Sequence, residues 1–267
     1  MSIVHWRRAL VGSAILFWKS LSLWLLGYPE AALADADDAL KSAREIGQAA
    51  TLMYTLIWTL WTHILRGNYA AASAQADEGV ALAQEKGSFG AWGPFGIACQ
   101  GCISAMTGKG LDAVQMIPSA LTALRSTGTT FWMPLYLPYL ARAYAELDQF
   151  NDAWRCIGEA MTAVETTEER WCEAEIHRAA GEISLMSPDR DTAKAGAYFE
   201  RALTVARQQQ AKSWELRASL SLARLWRDQG KVQQARDLLA PVYGWFTEGF
   251  DTRDLKDAKA LLEELAA

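Results

Sequence analysis

Cys99-Gln100-Gly101-Cys102 sets two thiols at the spacing of a redox pair, or of half a zinc site. A tetrahedral zinc site needs two further ligands at workable spacing, and Cys156 and Cys172 stand far along the chain. Small buried thiols are therefore the expectation. Met106-Thr107-Gly108-Lys109-Gly110 carries the glycine and lysine of a phosphate-binding loop. That loop requires a glycine where Ile103 stands and a serine or threonine where Gly110 stands, so a tight turn is expected instead. His5, His63 and His177 are too dispersed for a metal cluster or a catalytic triad. No acid, base, nucleophile and anion-binding set converges, so no catalytic residue, cofactor site or metal ligand is assigned and a non-enzymatic protein is expected.

The elements that position these residues form a repeat. Alanine recurs at Ala32, Ala72, Ala113, Ala153, Ala195 and Ala235, spaced by 40, 41, 40, 42 and 40 residues. Seven positions after each stands a second, mostly small residue: Ala39, Gly79, Ala120, Ala160, Ala202 and, as the exception, Val242. Each alanine follows a turn signal, such as Gly27-Tyr28-Pro29 or Gly67-Asn68-Tyr69. Between turns the apolar residues keep helical spacing, as at Leu216, Leu220, Ala223 and Trp226. Small residues seven apart share one face of a helix, where a neighbouring helix can approach closely. The unit is helix, tight turn, helix, loop. Six units are expected over residues 14–248, with a closing helix from Arg253 to Leu265 in a C-terminal cap of residues 249–267. Residues 1–13 are expected to form a ragged start outside the array.

Phase also bears on the front of the chain. Arg7, Arg8, an apolar run and Ala32-Leu33-Ala34 have the ingredients of a secretory leader with its cleavage site. Ala32 and Ala39 stand in register with five later pairs, which assigns them to the second helix of the first unit. Lys19 interrupts the run, leaving Leu10 to Trp18 uncharged, too short to cross a bilayer.

The unit resembles the tetratricopeptide repeat, whose second helix carries small residues at the same separation, but it is longer than the common 34-residue form. The expected fold is all-α, a right-handed superhelical α-solenoid of tetratricopeptide-like helix hairpins. Two further stretches, Leu23-Trp24-Leu25-Leu26-Gly27-Tyr28-Pro29 and the tail from Gln208 to Leu265, carry a narrower likeness. With the repeats between them they resemble the C-terminal helical-repeat region of bacterial proteins that join a class III adenylate/guanylate cyclase, or another output domain, to a large signalling ATPase. The resemblance implies a sensor or scaffold arm. It carries no catalytic residue onto this sequence, because the alternating strand pattern of a cyclase is missing.

In stacked hairpins the first helices line the concave side. Repeat phase places Tyr54, Ile57, Trp61, Ile64 and Phe95 there at the front. At the rear it places Arg142, Glu146, Glu175, Arg178, Glu182, Arg217, Arg224, Arg227 and Asp228. The front reads apolar and aromatic, either a docking surface for a partner or a second copy, or core filling the superhelix. The rear reads charged, either a grip for an acidic peptide end or small anion, or ion pairs between neighbouring repeats.

Composition narrows the classes. The chain has 267 residues, 51% hydrophobic and 21% charged, without a low-complexity linker. A net charge of −5 argues against a general nucleic-acid surface, whose affinity rests on lysine and arginine. Four scattered cysteines suit a reducing compartment, so a cytoplasmic location is expected. Twelve tryptophans point to bulky helix packing. The expected role is a scaffold holding a protein or peptide partner in its groove, possible partners being a cyclase or ATPase module. Self-association, small-effector sensing and regulation of a separate enzyme are the alternatives, with neither nucleic acid nor membrane as partner.

Overall fold

The computed structural model describes residues 3–87 and 89–266, the side chains of residues 3–11, 13, 89 and 91 excepted. Twelve of its α-helices pair into six hairpins. These are α1 (Ile3–Leu26) with α2 (Pro29–Ile46), α3 (Ala49–Arg66) with α4 (Tyr69–Glu85), and α5 (Phe89–Met106) with α6 (Gly110–Ser126). There follow α7 (Met133–Glu146) with α8 (Phe150–Thr167), α9 (Glu173–Met186) with α10 (Thr192–Gln208), and α11 (Lys212–Asp228) with α12 (Val232–Tyr243). A last helix, α13 (Arg253–Glu264), packs on α11 and α12. The fold is an all-α solenoid of tetratricopeptide-like hairpins. Residues 3–13 continue α1 as helix, and residues 1 and 2 lie outside the described residues.

The small-residue repeat is the hinge of this packing. Ala32, Ala72, Ala113, Ala153, Ala195 and Ala235 are all completely buried on the second helices, where a larger side chain would force neighbouring helices apart. Glycine does the converse on a first helix. A Cβ on Gly181 of α9 would lie 2.4 Å from the ring of Phe199 on α10, which fills the space the glycine leaves. Asn68 begins α4 by accepting the N–H of Ala71, and Asp191 begins α10 by accepting that of Lys194, each capping an otherwise unpaired donor.

The array does not stay open. It curls until the first two units meet the last, and a seam of specific bonds joins residues about 150 to 220 apart in sequence. Glu248 accepts the N–H groups of Glu30 and Ala31 at 2.9 and 3.0 Å, placing a carboxylate at the N-terminus of α2, while Glu30 accepts the N–H of Gly249 at 2.8 Å. The buried Arg66 donates to the Pro29 carbonyl and reaches Asp251 at 3.3 Å. Ser213 donates to the Trp24 carbonyl, and Arg217 donates to the Leu65 carbonyl at 2.6 Å. Gly249 turns at φ +76°, and a Cβ there would lie 2.1 Å from Pro29. Only glycine combines that backbone with that approach.

Closure turns the concave side into an interior. Phe17, Trp58, Trp61, Trp132 and Tyr136 fill its front as one aromatic plug, with ring centroids 5.1 Å apart for Trp61–Trp132 and 5.2 Å for Trp58–Trp132. Trp24 meets Trp214 edge to face at 4.7 Å across the closure. The rest of the interior is lined by arginines and carboxylates.

Candidate functional site

The charged half of the interior opens at one mouth of the closed array as a cavity of about 250 Å³. It continues into a narrower recess of about 100 Å³, the two parts sharing Met106, Arg142, Arg178 and Glu182. Tyr139 lies in the wall of the recess and its ring stands 6.0 Å from that of Trp61 in the aromatic plug. One side of the recess is apolar, made by Met106, Pro138, Tyr139, Ala179, Ile183 and Met186.

Each wall helix contributes at a helical spacing. Glu175, Arg178 and Glu182 lie three and four residues apart on α9, so Arg178 sits between two carboxylates on one face. It donates to both oxygens of Glu175 at 2.8 and 2.7 Å and to Glu182 at 3.2 Å. Burial pushes the Glu175 carboxyl up, but Arg178 and Arg217 outweigh it and hold it below the ordinary carboxylate value. Burial likewise disfavours the charged form of Arg178, and Glu175 and Glu182 more than restore it. Arg217 on α11 pairs with Asp254 of α13 at 2.7 Å, and its guanidinium stands 5.1 Å from the rings of both Trp24 and Trp214. Every carboxylate of the cavity therefore already has an arginine: Glu182 has Arg178, Asp254 has Arg217, and Asp257 has Arg224 at 3.0 Å.

Donors, rather than charges, are in surplus. Arg142 uses only its Nε, toward Glu146 at 2.9 Å, leaving both Nη groups without a partner among the described residues. Arg224 uses one Nη, for Asp257. Arg253 donates to the Tyr69 hydroxyl at 3.0 Å and has no carboxylate within ion-pair distance among the described residues. Five arginines thus stand around the wider part with Glu182, Asp254 and Asp257, and with Glu175 in the recess and Glu146 on Arg142 the charges balance, while donors of Arg142, Arg224 and Arg253 stay unused. That is a local site for a negative group.

The residues expected to line a groove divide accordingly. Arg142, Glu175, Arg178, Glu182, Arg217 and Arg224 are brought together in the cavity. Arg227 and Asp228 are not, since Arg227 turns outward to Glu264 at 2.6 Å and to Asp228. The front is not an open groove. Ile57 and Trp61 are completely buried and Ile64 nearly so, with Trp61 packed against Trp132 and Tyr136 and Ile57 beside Gly79 of α4. Tyr54 and Phe95 are half-buried, on a rim with Trp92 and Phe131 beside the exposed Trp18. Arg253, Asp254 and Asp257 were missed because α13 reads as a cap beyond the last repeat. Their signal was Asp254 and Asp257 three apart on one helical face.

The residues with chemical potential are otherwise occupied. All four cysteines are free and buried, and burial pushes the Cys99 and Cys156 thiols up to about 12. Trp61 and Tyr136 lean on Cys99 without reaching hydrogen-bond geometry. Lys109 and Gly108 form the turn between α5 and α6, with the Lys109 N–H closing back on Ser104 at 2.9 Å. Burial lowers the pKa of His63 and of His177, the latter stacked on Tyr198, and the side chain of His5 lies outside the described residues. No three His, Cys, Asp or Glu side chains gather at metal-binding distance among the described residues, and no described helix is long and apolar enough to cross a membrane.

Comparison with solved structures places the fold. The apo form of RapI superposes with a TM-score of 0.61 over 96% of this chain and 85% of its own, at 14% identity. BtubC from P. vanneervenii superposes with a TM-score of 0.53 over 89% of both chains, at 15% identity. A STAND protein with a tetratricopeptide repeat sensor from Pyrococcus horikoshii aligns with 90% of this chain and 43% of its own, at 13% identity and a TM-score of 0.42. No protein-family model and no curated protein matches the sequence. At these identities the likeness is one of fold.

Proposed function

We propose that this chain is a non-catalytic helical-repeat module that holds a protein or peptide partner at the arginine-rich mouth, as the regulatory arm of a cyclase- or ATPase-type signalling system. The observation that carries the reading is the mouth itself. Arg142, Arg224 and Arg253 present donors that no described residue uses, on an array held rigid by its own seam. Preorganised donors cost little to engage and favour acidic partners. The assignment to that class of system is supported by the narrower resemblance of Leu23–Pro29 and of the tail, two stretches that pack against each other across the seam.

The test is direct binding of the purified chain to cyclase and ATPase modules encoded beside its gene, read by light scattering after gel filtration. A one-to-one complex that weakens on Arg142→Glu and Arg224→Glu is the expected result. No complex with any of them would remove the regulatory-arm reading, and a self-association insensitive to both substitutions would move the contact away from the mouth. The apolar recess beside the unused arginine donors favours a second reading, recognition of a small effector there.

A further inference from the structure

The two parts of the cavity differ in character, and one ligand spanning them must combine both. The wider part offers spare guanidinium donors, while the recess offers an apolar wall. Arg142 lines both, and its Nη groups have no partner among the described residues. Small-molecule sites are commonly built this way, with apolar walls and a few polar groups that fix orientation. A neutral apolar molecule would leave the arginines unused. An inorganic anion would leave the recess unfilled. A cation finds no free carboxylate, since Glu175, Glu182, Asp254 and Asp257 each already hold an arginine. The recess, about 100 Å³, suits a short hydrocarbon body.

We infer that the cavity binds a small amphipathic organic acid, its carboxylate held by Arg142 and Arg224 and its short hydrocarbon body laid along Met106, Pro138, Ile183 and Met186. This deepens the small-effector reading above and rests on it. Arg178 and Arg217 do not serve as primary ligands, since Glu175, Glu182, Asp254 and the Leu65 carbonyl already engage them. They hold the walls in place. Arg253, on the rim with Tyr69, adds attraction for the approaching anion.

Octanoate is the probe, with octanamide, acetate and inorganic phosphate beside it, on the full chain by isothermal titration and by thermal shift, where a ligand of the folded state raises the midpoint. Octanoate is expected to bind and to raise the midpoint, and the other three to bind at least tenfold more weakly. Arg142→Gln and Arg224→Gln, on side chains that are 38% and 44% exposed, are each expected to weaken octanoate about tenfold, the loss of one charge-assisted contact. Arg227→Gln, outside the cavity, is expected to change nothing. Equal binding of octanamide would overturn the anion assignment, and equal binding of acetate or phosphate would overturn the role of the recess. Unchanged octanoate affinity in both arginine variants, with circular dichroism showing them folded, would overturn the site. Octanoate failing while a protein module still binds through Arg142 and Arg224 sinks this inference alone. The reverse result sinks the partner reading and leaves the acid site standing.

Discussion

The two halves of the interior solve one problem with opposite chemistry. Closing the array brings the first helices of distant units face to face. At the front they meet through aromatic rings that exclude water, whereas at the rear Arg217 reaches the Leu65 carbonyl and ion pairs within and between neighbouring helices line a cavity. The aromatic half gains from area and packing and gives no handle to a ligand. The charged half gains little net stability, because desolvating its ions offsets most of their attraction, yet it retains surplus donors. Stability and recognition are thereby assigned to different ends of one space.

Breaking the aromatic half should have the largest effect. Trp61→Ala is expected to cost about 4 kcal/mol in urea unfolding, since Trp61 is fully enclosed by Trp132, Tyr136 and Tyr139. A polar replacement such as Trp61→Asp should prevent folding altogether, so it serves poorly as a probe of association. Next comes Arg178→Met, which takes from the buried Glu175 its two closest donors and leaves it Arg217 at 3.8 Å, and should cost about 3 kcal/mol. Adding Glu175→Leu to that variant should restore most of the loss, an outcome no change in the aromatic half would reproduce.

Acid sharpens the contrast. Because the folded-state pKa of Glu175 lies below its ordinary value of 4.5, its contribution is complete above that pH and is lost as pH falls through the lower folded value. In Arg178→Met that carboxylate keeps only Arg217, at 3.8 Å, so its pKa rises from the wild-type folded value and the deficit of this variant should shrink on acidification, while that of Trp61→Ala stays level, as unfolding curves at pH 7 and pH 4 would report. The smallest effect is expected outside the interior: Arg227→Ala breaks only exposed pairs and should change stability by less than about 1 kcal/mol.

The six hairpins were legible in the sequence because every second helix must bury a small residue at the same step, and Ala32 through Ala235 do so without exception. Val242, the odd member of the second series, is buried too, on the shorter α12. Closure was not legible. Its contacts are single and aperiodic: Ser213 with Trp24, Glu248 with Glu30, Gly249 against Pro29. Repeat phase located the charged positions, yet it could not tell a groove from an enclosed space. That turned on whether the tryptophans of α3 faced solvent or the returning chain. The spare donors of Arg142 were invisible for a related reason, since its carboxylate neighbour Glu146 suggests a satisfied pair until the geometry shows that only Nε is used.

The seam alters how such a molecule comes apart. In a linear stack each unit leans only on its neighbours, so the ends fray first and protection against amide exchange declines toward them. Here the first two units are joined to the last through Glu248 and Arg66, so loosening at either side works against this seam. Exchange should consequently be lost as a single cooperative event, and cutting the Glu248 link should convert it into a graded one.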